Sequence, residues 1–131
     1  MTALYNPSEA EFKEKSVLIA EDEEISLYYL TELLKDKFKE IYTATNGKEV
    51  IEQLEQNDID LILMDIRMPV MDGLETTRQI REKDDKLVII AQTAYAMKND
   101  REESIAAGCD ECVTKPINEE ELFTKMISLL K

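Results

Sequence analysis

The chain has 131 residues, 44% of them hydrophobic and 34% charged, with 29 acidic against 16 basic side chains and a formal net charge of −13. That length suits one domain with a real core, and the apolar fraction is too high for a disordered chain. Binding a nucleic-acid backbone or an anionic membrane surface needs a basic footprint, so this balance points away from both.

The longest apolar run, Leu87 to Ala91, is far short of the ~20 residues of a membrane span. No charged-then-apolar leader opens the chain, so the expected compartment is the cytoplasm. Histidine is absent. That removes His-based triads, His metal sites and a phosphohistidine acceptor from this chain's own chemistry.

Residues 1–15 are polar, acidic and broken by Pro7, with no sustained period. They are expected to form a leader or linker, with one domain over 16–131. Val17 to Ala20 is a short apolar run of the kind that forms a strand buried on both faces. A helical pattern follows with Ile25, Leu27, Leu30, Leu33 and Leu34 on its core face, then a second strand over Glu40 to Ala44. Asn46, with Glu49 three residues on, opens a second helix carrying Val50, Ile51 and Leu54.

Leu61 to Met64 reads as the third strand, ending at Asp65. After a loop containing Pro69, Asp72 and Glu75 repeat the capping spacing ahead of Leu74, Thr77 and Ile80. Leu87 to Ala91 is the fourth strand, and a weaker helix from about Ala96 to Ala107 stops at Gly108. A short strand over Glu111 to Thr114 precedes a last helix opened by Asn118 and three acids, Glu119 to Glu121. Five βα units with apolar strands argue for an α/β fold, a doubly wound parallel sheet.

Cys109 and Cys112 form a CxxC. A zinc site needs four ligands, and no other Cys or any His completes one. Asp110 and Glu111 between the thiols are expected to raise their pKa values, against a redox centre. The reading that remains is two small, half-buried thiols in a reducing compartment.

In a doubly wound sheet, function gathers at the carboxyl ends of the strands. Glu21 and Asp22 stand there after the first strand, Asp65 after the third, Thr93 after the fourth and Lys115 after the fifth, followed by Pro116. Each alone reads blandly, as a cap, a surface acid or a surface lysine. Their joint placement does not. Crowded carboxylates repel and are relieved by a divalent cation, and an all-oxygen ligand set suits Mg²⁺. A carboxylate can then attack phosphorus to form an aspartyl phosphate, while Lys115 offsets phosphoryl charge and Thr93 donates a hydrogen bond.

The stretches VLIAEDEE, LILMDIRMPVMDG, AQTAYAM and VTKPI resemble the response-regulator receiver domain over roughly residues 16–131. The resemblance implies a five-stranded parallel sheet in order 2-1-3-4-5 with five helices, and a Lys-Pro bond that is usually cis. By position it implies Asp65 as phosphoacceptor and Asp22 as a direct Mg²⁺ ligand. Glu21 would hold the metal or its water, and the backbone carbonyl of Arg67 would complete the site. Thr93 would be the switch hydroxyl, and Lys115 the partner of the carboxylate or phosphoryl group.

The implied partners are a histidine kinase or histidine phosphotransfer protein, and a downstream partner at the fourth helix, fifth strand and fifth helix. The chain is expected to be either a stand-alone receiver or part of a larger protein, and the AEDE and TAYAM stretches look more like receivers of hybrid histidine kinases. Two positions depart from the usual pattern: Glu21 replaces Asp, and Cys112 stands where an aromatic switch residue is common. Arg67 and Tyr95, two residues beyond Asp65 and Thr93, are bulky and are expected to slow hydrolysis of an aspartyl phosphate.

Competing readings fit less well. A phosphatase of the haloacid-dehalogenase type needs D-x-D, and the sequence here is Asp65-Ile66-Arg67. A flavodoxin-like binder needs a Ser/Thr/Gly-rich loop where Glu21 to Glu24 stand. A receiver that works without phosphorylation would not need the full set of five residues.

Overall fold

Strands that are apolar on both faces can pair only inside a sheet covered on both sides, and the three inner strands of this sheet do so. The structure, a computed structural model, describes residues 12–94 and 98–130. In chain order the elements are β1 (Phe12–Ala20), α1 (Glu24–Leu34), β2 (Phe38–Ala44), α2 (Gly47–Gln56) and β3 (Leu61–Asp65). Then come α3 (Gly73–Arg81), β4 (Val88–Thr93), α4 (Lys98–Ala107), β5 (Glu111–Thr114) and α5 (Glu119–Leu130). All pairings are parallel, in the order β2-β1-β3-β4-β5.

Alternation along the strands splits the core into two layers. Val17, Ile19, Leu63, Ile90 and Val113 face α1 and α5, where they meet Leu30, Leu34, Leu122, Phe123 and Met126. Leu18, Ile62, Met64, Ile89 and Ala91 face the other way, toward Val50 of α2 and Ile80 of α3. The register places Ala20 beside both Ala44 and Met64, Asp65 beside Gln92, and Thr93 beside Thr114. The strand ends, and the side chains that follow them, are therefore gathered at one edge.

The helix starts follow the capping pattern in the sequence. The side chains of Asn46, Asp72 and Asn118 accept hydrogen bonds from the backbone N–H groups of Glu49, Glu75 and Glu121 at 2.9, 2.8 and 2.8 Å. At α2 the reciprocal arm lands one residue early, because Glu49 accepts from Thr45 N–H at 2.7 Å rather than from Asn46. Gly108 follows α4 with φ 119°. There Arg81 Nε donates to the Gly108 carbonyl at 2.8 Å and its Nη2 meets Asp110 at 3.0 Å, pinning the end of α4 to α3. Along α4 itself only Ser104 and Ala107 are buried among the described side chains.

Three expectations need correcting. β1 begins at Phe12 rather than at Ser16: Phe12 pairs with Phe38 across an irregular register and the rings stack with centroids 5.1 Å apart. Ile25, expected on the core face of α1, is 80% exposed, because the helix seats on Leu30 and Leu34. The thiols of Cys109 and Cys112 are buried rather than half-buried. Burial, ahead of any neighbouring acid, pushes Cys109 up from 9.0 to about 11, and burial likewise raises Cys112. Ala96, where α4 was expected to open, lies outside the described residues.

The Cys109 shift has a signed consequence. The folded state holds the thiol proton more tightly than the unfolded chain does, so the neutral thiol adds stability below pH 9.0 that is lost as pH rises toward about 11. Urea midpoints measured across that window should fall more steeply in the wild type than in Cys109→Ala. Parallel slopes would contradict it.

Candidate functional site

The carboxyl edge of the sheet carries a small acidic cleft, and its geometry starts with two strand ends. Glu21 follows β1, where its backbone N–H donates to the Ala44 carbonyl at 2.9 Å and continues the ladder. Its side chain is fully buried. Asp65 closes β3 and is 5% exposed. The chain then turns back hard, with Gly73 N–H donating to the Ile66 carbonyl at 2.8 Å. A Cβ at Gly73 would lie 2.3 Å from the Asp65 carbonyl oxygen, so only glycine lets α3 start this close to the strand end.

Lys115 lies just beyond β5, its backbone N–H donating to the Thr93 carbonyl at 2.7 Å. Its peptide bond to Pro116 is cis. The ammonium reaches across the edge to Glu21 Oε1 at 2.8 Å and Asp65 Oδ2 at 3.1 Å. The other oxygens are held by backbone: Glu23 N–H donates to Glu21 Oε2 and Arg67 N–H to Asp65 Oδ1, both at 3.1 Å. Both ionisations respond to this crowding. Burial raises the Glu21 pKa, Lys115 opposes that, and the Asp65 carboxylate adds to it. Burial pulls the Lys115 pKa down, but the two carboxylates outweigh it and the net shift is upward.

Asp22 is exposed at the mouth, and one oxygen each from Glu21, Asp22 and Asp65 lies within 4.8 Å of the others. With Arg67, Ala94 and Lys115 they line a cleft of about 410 Å³. Three carboxylates face one ammonium, and the donors are hard oxygens. That set fits a small divalent cation such as Mg²⁺ and does not fit a soft metal.

The structure thus brings together Glu21, Asp22, Asp65, Arg67 and Lys115. Thr93 stands apart from them. It is buried at 2% exposure and lines a neighbouring depression with Arg67, Met68 and Ala94. Its hydroxyl, close to the Cys112 thiol, opposes the upward push that burial gives that thiol's pKa, while the Ser104 hydroxyl donates to the Asp100 carbonyl at 2.8 Å. The sequence pairs Lys115 with one carboxylate; its shorter contact, to Glu21, follows from the register and has no local signal. Tyr95 lies outside the described residues.

A family model described as the response regulator receiver domain matches residues 17–127. "Two-component system protein A" of Emericella nidulans is 41% identical over 112 residues, 83% of this chain, and the match spans 16% of that protein's length. A receiver domain from Saccharomyces cerevisiae, solved with a histidine phosphotransfer signaling protein, superposes with TM-score 0.83 at 29% identity, covering 90% of each chain. The receiver domain of a Pseudomonas aeruginosa sensor histidine kinase, solved with magnesium ion coordinated in its active site cleft, gives TM-score 0.81 at 29% identity. That alignment covers 89% of this chain and 98% of the other.

The cleft geometry makes Lys115→Met a sharp test of charge balance. It leaves two largely buried carboxylates facing each other and should cost about 2–3 kcal/mol at neutral pH. Without the ammonium, burial and the Asp65 carboxylate raise the Glu21 pKa against only the Glu23 N–H. A raised pKa favours the folded state at low pH and penalises it as pH rises through that value. Chemical denaturation should therefore show a deficit that shrinks in acid; a deficit independent of pH would count against the charge account.

Proposed function

The chain belongs to the response regulator receiver domain family of two-component systems, and on that premise we propose that Asp65 is its phosphoacceptor. The observation that carries this reading is the Lys115 ammonium spanning Glu21 and Asp65 beside an exposed Asp22. A surface acid needs no such scaffold. Here the carboxylate is held at both oxygens and sits in a cleft open to an incoming phosphoryl group.

Glu21, Asp22, Asp65 and the backbone carbonyl of Arg67 would hold Mg²⁺. When bound, that ion neutralises charge on the phosphoryl oxygens. The chain's own residues do the rest. An Asp65 oxygen attacks the phosphorus of a phosphohistidine, forming the P–O bond as the P–N bond breaks, and the departing imidazole takes up a proton. Lys115 follows the charge as it moves from carboxylate to phosphoryl oxygen. Thr93 turns its hydroxyl toward the new group and donates to a phosphoryl oxygen.

The absence of His fits a donor in another domain or chain, a histidine kinase or histidine phosphotransfer protein, a reading supported by the yeast receiver's partner. The module is a signalling domain rather than an enzyme of metabolism, and its downstream surface is α4–β5–α5. Among the described residues no helix is long and apolar enough to cross a membrane. We place the receiver in the cytoplasm with its first strand opening at Phe12 rather than at residue 16, and read the whole as a module of a longer protein such as a hybrid histidine kinase.

Acetyl phosphate with Mg²⁺ should add one phosphoryl group, seen by intact-mass spectrometry and missing in Asp65→Asn. A normal signal in that variant would sink the assignment. Asp22→Ala should remove Mg²⁺ binding near neutral pH while leaving the fold intact.

The switch makes a separate expectation. The Cys112 side chain is short and buries little area, so it offers little differential packing between two states. Amide shifts over residues 98–130 on adding beryllofluoride should persist in Cys112→Ala and mostly vanish in Thr93→Ala. Equal loss in both would overturn this account.

A further inference from the structure

The helical layer formed by α2 and α3 does not close over its own apolar side chains. Ile51 and Leu54 of α2, and Ile59 beyond it, pack against the core layer of Ile80 and Leu87 yet stay only half-buried. Between the two helices these five residues floor a groove of about 540 Å³. Ile59 and Leu87 stand just ahead of β3 and β4, so the groove opens at the amino edge of the sheet. The acidic cleft lies at the opposite edge. Apolar surface left half in water and gathered in a groove is where a partner gains by covering it.

The rim of the groove is charged, and almost wholly of one sign. Glu55 and Asp58 stand on the α2 side, Glu75, Glu82 and Asp84 on the α3 side, against the single cation Lys83 among the described lining residues. Glu75 is met by Arg78 and Gln79, and Asp84 accepts from the backbone N–H groups of Lys86 and Leu87. The carboxylates of Glu55, Asp58 and Glu82 have no ion pair or hydrogen bond among the described residues. These acids do not converge on a point. Among the described residues only Glu21, Asp22 and Asp65 come close enough together to share an ion. Negative charge spread along both walls suits an extended ligand with several cations, and not a single ion.

We propose that this groove docks a basic amphipathic helix of a partner protein, its apolar stripe on the floor and its Lys or Arg side chains along both rims. From Glu75 to Glu82 the α3 wall runs about 10 Å, two helical turns. That length accepts apolar side chains at i, i+3 or i+4, and i+7 of an incoming helix, the usual pattern of helix-in-groove recognition. The stripe supplies affinity by burial, while the flanking cations, still solvated, supply orientation and a faster encounter. A helix seated there leaves both the acidic cleft and the α4–β5–α5 face uncovered. The proposal does not depend on the assignment of Asp65.

A synthetic peptide of roughly four turns, with leucines at the stripe positions and lysines between them, is the probe. Labelled for fluorescence anisotropy, it should bind the wild-type chain with a Kd of about 10–100 µM. A scrambled peptide of the same composition keeps the charge and loses the stripe, and should bind at least about tenfold more weakly. In ¹⁵N-correlated spectra the first peptide should shift the backbone amides of Ile51, Leu54, Ile59 and Ile80.

The double variant Glu55→Lys with Glu82→Lys, at two exposed positions, should weaken binding about tenfold or more. A chain of net charge −13 attracts any cationic peptide, so the control carries the same charge change elsewhere. Glu40→Lys with Glu120→Lys, also exposed, should weaken binding less than about twofold. Leu54→Gln alters the floor at constant charge and should weaken binding several-fold. If that variant fails to fold, the two exposed double variants still decide the matter. The proposal is overturned by no saturable binding, by equal binding of the scrambled peptide, by equal loss in the two double variants, or by shifts centred on another face.

Discussion

The site rests on one cation shared by two buried carboxylates. Two buried carboxylates this close repel each other, and the Lys115 ammonium contacts both. The position of that ammonium is in turn a product of topology. β1 and β3 are neighbours and their ends coincide, whereas β5 is two strands away from β3. Only a long, flexible side chain leaving the far strand could span the gap, and lysine has the reach. The backbone bond from Lys115 to Thr93 sets where that reach begins.

That balance also leaves a remainder. One ammonium offsets two acids, and Asp22 stays unmatched at the mouth. The cleft thus remains attractive to a further positive charge, which a neutral or fully paired site would not be. The same arithmetic explains why Glu in place of the more common Asp at position 21 is tolerated. The longer side chain still presents one oxygen to Lys115 and the other to the Glu23 N–H.

How much of this was legible in the residues follows from which forces are local. Strands buried on both faces must be apolar throughout, so Val17 to Ala20, Leu61 to Met64 and Leu87 to Ala91 stood out unaided. Caps are local hydrogen bonds, and Asn46, Asp72 and Asn118 all cap as their spacing indicates. The start of β1 was hidden because Lys13, Glu14 and Lys15 interrupt the pattern, and Phe12 stacks on Phe38, a partner 26 positions away. Ile25 misled for the mirror reason. Its spacing matches a core face, but which arc of α1 is buried depends on the sheet beneath it. The thiols misled through cause: their acidic neighbours are evident in the chain, whereas burial, the larger effect, is a property of the fold.

The seating of α4 has a mechanical consequence. α5 is bolted down by Leu122, Phe123 and Met126, whereas α4 rests on Ser104 and Ala107, two of the smallest side chains available. Shallow teeth make a weak ratchet: a helix held by a methyl and a hydroxymethyl group can slip to a new setting with little loss of contact. Its far end is clamped, since Arg81 ties Gly108 and Asp110 to α3. Anchored at its C-terminal end and seated on small side chains, α4 keeps its setting with less buried apolar surface than α5 does.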